Sequence, residues 1–166
     1  MKPGVLWIED GAKARLADFV AAINVKGAYD LGITLNASDG INRILEHPFE
    51  AIVVDIRIPP GKNSDWEDLY SEEGSEKVAA RLGLHLLYSL LDPTKARVKI
   101  PKIPPWVTAN RFGILTVESK KELEDDLKYL NIKVFRQKKA ELDQNALLEV
   151  IEEILKNRGI DLKEEC

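Results

Sequence analysis

Ala51-Ile52-Val53-Val54-Asp55 is an apolar run that ends abruptly on a carboxylate. A strand with one wet face alternates apolar and polar residues. An unbroken run belongs to a strand buried on both faces, as in the middle of a parallel sheet. Working back toward the N-terminus, Ile41, Ile44 and Leu45 predict a short helix, capped by Ser38 or Asp39 and ended by His47-Pro48. Leu31, Ile33 and Leu35 alternate as a strand. Leu16, Phe19, Val20 and Ile23 fall at i, i+3, i+4 and i+7, the apolar face of a helix that stops near Gly27. Val5-Leu6-Trp7-Ile8 reads as another buried strand, turning at Glu9-Asp10-Gly11.

Toward the C-terminus, residues 61–74 are acidic and read as irregular. From Ser75 to Leu91 apolar residues surround a helical period almost completely, which predicts one well-buried helix. Pro93, Pro101, Pro104 and Pro105 bar regular helix from residues 92–107. Arg111 to Val117 reads as a strand, and Lys120 to Leu130 as a helix with Leu123, Leu127 and Leu130 in phase. Ile132 and Val134 alternate as a strand. Leu147, Leu148, Ile151, Ile154 and Leu155 form a last amphipathic helix, with Gly159 just past its end. Strand and helix alternate five times. That order predicts an α/β fold, a doubly wound five-stranded parallel sheet with helices on both faces.

The chain has 166 residues, 45% hydrophobic and 31% charged, enough for one globular domain. A net charge of −4 argues against a nucleic-acid footprint. No apolar run approaches the roughly 20 residues that span a bilayer, and the N-terminus lacks a signal-peptide pattern. The lone cysteine, Cys166, rules out a disulfide framework within the chain. The expectation is a soluble cytoplasmic protein with neither nucleic acid nor membrane as partner.

In an open parallel sheet, ligands bind beyond the carboxyl ends of the strands, where the strand order reverses. Glu9 and Asp10 end the first strand, Asp55 the third and Thr116 the fourth, and the fifth leads into Lys138. In the flavodoxin-like order 2-1-3-4-5 these residues share one crevice. Three carboxylates together repel, so cationic charge must offset them. Lys138 supplies one charge and a divalent metal the rest. Mg²⁺ suits oxygen ligands and phosphate chemistry, and phosphoryl transfer asks for little beyond a nucleophile, a metal and donors to the phosphoryl oxygens. Asp55 suits the nucleophile; Thr116 and Lys138 suit the donors.

At these residues the chain resembles the CheY-like response-regulator receiver domains. The matching features are Glu9-Asp10, Asp55 45 positions beyond Asp10, Asp55-Ile-Arg-Ile-Pro59, Thr116 after a strand, Lys138 22 positions further on, and the small-residue turn Ala37-Ser38-Asp39-Gly40. The resemblance implies that Asp55 is the phospho-acceptor. It implies that Asp10 and the Arg57 backbone carbonyl ligate Mg²⁺ with Asp55, while Glu9 acts largely through water. Lys138 and Thr116 would bind the phosphoryl group, and Phe135 matches the aromatic position that reorients on activation. It implies a histidine kinase or phosphotransfer protein as donor, and a downstream protein bound by a face near the fourth helix, fifth strand and fifth helix. The domain would catalyse only its own phosphoryl transfer and dephosphorylation.

The chain departs from the family pattern in four ways. Lys139 replaces the usual proline after Lys138. Val117 stands where a smaller residue is usual and would crowd the approach to Asp55. Arg57 and Glu118 flank the site and predict an ion pair across it. Sixty-one positions separate Asp55 from Thr116, about twice the usual interval. The domain therefore reads as 1–159 with an insertion at approximately 62–107, followed by a tail over 160–166. The insertion has an acidic piece, Lys62 to Glu76, and a basic proline-rich piece, Lys95 to Trp106, expected to pair beside the site and offer a partner surface. Trp66, Tyr70 and Trp106 read equally as anchors for it.

Two rival readings remain. In one, the same fold serves as a pseudo-receiver, a protein–protein interaction module that is never phosphorylated. In the other, Asp55 is the transient nucleophile of a phosphohydrolase, for which Arg57 is a poor match because a second acid usually stands there.

Overall fold

The computed structural model describes residues 2–140 and 143–160, so the tail from residue 161 onward lies outside the described residues. The five strands are β1 (Gly4–Ile8), β2 (Asp30–Thr34), β3 (Ala51–Val54), β4 (Phe112–Thr116) and β5 (Val134–Gln137). They form one parallel sheet in the order β2-β1-β3-β4-β5. All four residues of β3 are buried, as the unbroken apolar run requires.

Successive strand residues point to opposite faces, which divides the core in two. Leu6, Ile8, Ile52, Val54 and Ile114 face one side, and Val5, Trp7, Ala51, Val53 and Leu115 the other. The helices are α1 (Ala17–Lys26), α2 (Ala37–Glu46), α3 (Ser64–Glu72), α4 (Lys77–Ala80), α5 (Leu82–Leu91), α6 (Lys120–Leu130) and α7 (Ala146–Asn157). Ile41 and Ile44 of α2, Leu86 and Leu87 of α5, and Leu123 and Leu127 of α6 cover the first face. Phe19 and Ile23 of α1, with Ile151 and Ile154 of α7, cover the second.

Three local expectations are corrected. Residues 61–74 are not irregular, because they contain α3. The Asn63 side chain accepts from the backbone N–H groups of Asp65 and Trp66, and Trp66 and Leu69, one turn apart, are buried. The single helix expected from Ser75 to Leu91 is broken at Arg81, which adopts the left-handed conformation (φ 48°, ψ 48°) between α4 and α5. Apolar periodicity does not register such a break. Asn36, rather than Ser38 or Asp39, caps α2, accepting from the Asp39 N–H at 2.8 Å. Ser38 is buried instead, and its hydroxyl donates to the Pro60 carbonyl.

The two pieces of the β3–β4 segment do pair: Arg97 meets Glu72 at 2.8 Å and Glu73 at 3.2 Å. The proline-rich piece then runs away from the crevice. Trp106 packs edge-on against Phe49, with ring centroids 6.4 Å apart, at the end of the sheet opposite Asp55.

Candidate phosphoryl and metal site

The parallel register sets Ile8 opposite Val54, so β1 and β3 end together and deliver the residues that follow them to one place. The Glu9 N–H donates to the Thr34 carbonyl and the Asp55 N–H to the Ile8 carbonyl, each at 3.0 Å, which extends the ladder one residue beyond each strand. Glu9, Asp10 and Asp55 each bring a carboxylate oxygen within 4.8 Å of the others. Glu9 is fully buried and Asp55 is 2% exposed. From β5, the Lys138 N–H donates to the Thr116 carbonyl at 2.7 Å. Its ammonium donates to Glu9 Oε2 at 2.9 Å and to Asp55 Oδ2 at 3.3 Å. No cis peptide bond occurs among the described residues, so the bond after Lys138 is trans.

Each carboxylate has further partners. Glu9 Oε1 accepts from the Gly11 N–H, and Asp55 Oδ1 from the Arg57 N–H. Arg15 stands 3.8 Å from Glu9 and 3.9 Å from Asp10. Burial pushes the Glu9 carboxyl up to about 8, and the neighbouring Asp55 adds to the rise, while Lys138 opposes it. Asp10 behaves differently. Burial pushes it up too, but the hydrogen bonds from Lys77 and Glu9, with the charges of Lys77 and Arg15, leave it below the usual carboxylate value.

Among the described residues, three buried oxygens at this end of the sheet have no hydrogen-bond partner: Asp10 Oδ1, Thr116 Oγ1 and Thr34 Oγ1. An orphaned buried polar atom is costly, and such atoms are exceptions that call for a cause. A carboxylate oxygen without a donor suits a metal ligand, and a free buried hydroxyl suits an anion. The donor set is all oxygen, which fits Mg²⁺ and not a thiophilic metal.

The structure thus gathers Glu9, Asp10, Asp55 and Lys138, and sets Thr116 at the same end of the sheet. Phe135 stands apart, half-buried in β5 and lining a surface cavity with Lys120, Leu127 and Ile132. Val117 is 45% exposed. Arg57 and Glu118 form the expected ion pair at 3.4 Å. The sequence reading missed Arg81, which bonds the same nearly buried Glu118 at 2.8 Å, and Lys77, whose ammonium donates to Asp10 Oδ2 at 2.5 Å. One signal for them was present: Lys77 and Arg81 are the only Lys or Arg between Lys62 and Lys95, four positions apart in an acidic stretch.

No protein-family model matches the chain, and no curated protein matches it. Solved structures do match in fold. A response regulator receiver domain protein (CheY-like) from Methanospirillum hungatei is 17% identical over 96% of this chain and 98% of that one, with a TM-score of 0.59. Chemotaxis protein CheY4 from Vibrio cholerae is 12% identical, covering 93% and 100%, with a TM-score of 0.58. The response regulator DrrB from Thermotoga maritima is 14% identical over 95% of this chain and 54% of its own, with a TM-score of 0.57. The likeness is one of fold, and the fold is that of the CheY-like receiver domains.

Proposed function

We propose that this receiver-fold chain accepts a phosphoryl group on Asp55, with Mg²⁺ beside it, and that phosphorylation changes which protein it binds. The observation that carries the reading is Lys138, a nearly buried ammonium bonded at once to Glu9 and to Asp55 at the end of the central strand. A buried cation shared by two carboxylates is costly to desolvate, and a phosphoryl group on Asp55 gives it a catalytic use.

In this reading a carboxylate oxygen of Asp55 attacks the phosphorus of the donor. The donor's P–N or P–O bond breaks, its electron pair leaves with the donor, and a P–O bond joins the group to Asp55. Asp10, Asp55 and the Arg57 carbonyl would hold Mg²⁺, with Glu9 acting largely through water. The ion would supply positive charge where the phosphoryl oxygens gather negative charge. Lys138 would turn from the carboxylates to the phosphoryl group, and the Thr116 hydroxyl, free of other bonds, would donate to it. Phe135 would be the residue that reorients. The donor would be a histidine kinase or phosphotransfer protein, and the readout a change of protein partner in the cytoplasm. Among the described residues no helix is long and apolar enough to cross a membrane.

The test is intact mass after incubation with Mg²⁺ and a small acyl phosphate, beside Asp55→Asn. A gain of one phosphoryl group in the wild type only is expected. A second reading, the pseudo-receiver that binds partners without phosphorylation, is favoured by the Lys77 ammonium on Asp10, a fixed charge where the first reading needs a metal. No mass gain together with no divalent binding would select it.

A further inference from the structure

The first contact to explain is Lys77 on Asp10. The side chain comes from the β3–β4 segment, 67 positions along the chain, and ends 2.5 Å from a carboxylate of the acidic cluster. Its helix, α4, has four residues, too few to be stable alone. It is bracketed by Ser75 (φ 59°) and Arg81 (φ 48°), two non-glycine residues in the left-handed region. Backbone of this kind persists only where the surroundings hold it. Residues 74–79 are exposed apart from Lys77, which is half-buried. The α4 turn is held by Ala80 in the core, by Lys77 on Asp10, by Arg81 on Glu118 and, at its start, by the Ser75 N–H, which donates to the Tyr70 carbonyl at 2.9 Å.

We propose that Lys77 is a built-in cation that holds Asp10 when no divalent ion is bound, so that it sets the metal affinity of the site and links metal binding to release of the α4 turn. The inference rests on the metal reading of Glu9, Asp10 and Asp55 given above. Lys77 and a divalent ion compete for one carboxylate, because Asp10 Oδ2 is committed to the ammonium, and Oδ1, 3.9 Å from Arg15, accepts no hydrogen bond. The pair is partly exposed, with Lys77 at 38% and Asp10 at 20% side-chain accessibility. Such a pair is weak enough for a divalent cation to displace. Once Lys77 leaves, Ser75 on Tyr70, Ala80 and Arg81 on Glu118 remain at the two ends, and residues 76–79 between them lose the side-chain contact that holds them at the crevice. The moving piece carries Val78, 57% exposed, so metal binding alters the surface offered beside the site.

The test is Mn²⁺ titration followed by electron paramagnetic resonance, on the wild type, Lys77→Met, Lys77→Arg, and Arg97→Ala as a control in the same segment. Hydrogen exchange over residues 74–81 is read with and without Mg²⁺. Lys77→Met is expected to bind about fivefold more tightly, Lys77→Arg and Arg97→Ala to match the wild type, and exchange over 74–81 to rise when Mg²⁺ is added to the wild type. Equal or weaker binding by Lys77→Met, or unchanged exchange, overturns the proposal while leaving the metal site intact. If neither the wild type nor Lys77→Met binds Mn²⁺, the metal reading fails and the proposal with it. Binding by Lys77→Met alone is the strongest support.

Discussion

Gly83 sits so close to Asp55 that a Cβ added to it would lie 1.9 Å from the Asp55 carbonyl oxygen. The Gly83 N–H donates to the Ile56 carbonyl at 3.0 Å. The first turn of α5 is therefore pressed against the backbone that carries the candidate acceptor. Backbone cannot yield as a flexible side chain can, so Gly83→Ala forces the helix and β3 apart. The expected loss is about 3 kcal/mol, read as a lower urea midpoint. A stability within about 0.5 kcal/mol of wild type would mean that α5 docks less tightly than described.

Removing one carboxylate from the cluster has the opposite sign. Without metal, Glu9 and Asp55 share the buried ammonium of Lys138, and Asp10 stands beside them on Lys77. Asp55→Asn removes one negative charge and keeps an oxygen to accept from Lys138, while Glu9 still pairs with the ammonium. Metal-free stability is expected to rise by about 1 kcal/mol or more, and the gain in melting temperature on adding Mg²⁺ is expected to shrink. Both follow from thermal unfolding with and without chelator. A fall in metal-free stability would show that Lys138 already neutralises the cluster.

Glu118 draws Arg57 and Arg81 together over the crevice. If Asp55 is phosphorylated, this cover excludes water from the acyl phosphate. Loss of the phosphoryl group is then expected several-fold faster from an Arg57→Ala, Glu118→Ala double variant than from wild type, followed by intact mass over time. Slower loss in the variant would assign the pair to hydrolysis rather than to protection.

His85 gives a pH dependence away from the cluster. Burial chiefly holds its pKa below 6.5, with Glu73 opposing and Arg97 and Arg81 reinforcing the shift. The unfolded chain therefore takes up this proton first as the pH falls. Stability from neutral His85 is complete above about 6.5 and is lost as the pH drops through the folded value. Urea midpoints of His85→Gln are expected to fall less than those of wild type between pH 7 and pH 5. Parallel falls would assign the acid sensitivity to other groups.

The sheet was legible because it rests on burial. Ala51 to Val54 had to be covered on both faces, and strands ending together had to bring Glu9, Asp10 and Asp55 to one edge. The β3–β4 segment was not legible, because local geometry decides it. Asn63 makes α3 a helix by accepting two N–H groups, in a stretch whose acidity suggested loop. Arg81 breaks a continuous apolar run through one backbone angle, which leaves no trace in the pattern. Lys77 and Arg81 act through contacts with Asp10 and Glu118 that only the folded chain creates.

The pairing of Ile52 with Phe112 has a consequence for how the molecule assembles. Sixty residues of chain must be gathered before these neighbours meet. Loop-closure entropy grows only with the logarithm of length, so an interval twice the usual one costs about 0.6 kcal/mol more. The fold carries its long excursion at little thermodynamic expense. The burden falls on time instead, since distant contacts slow folding. β1, β2 and β3 can associate while β4 and β5 are still being recruited, and until then the Ile52 edge of β3 stands open.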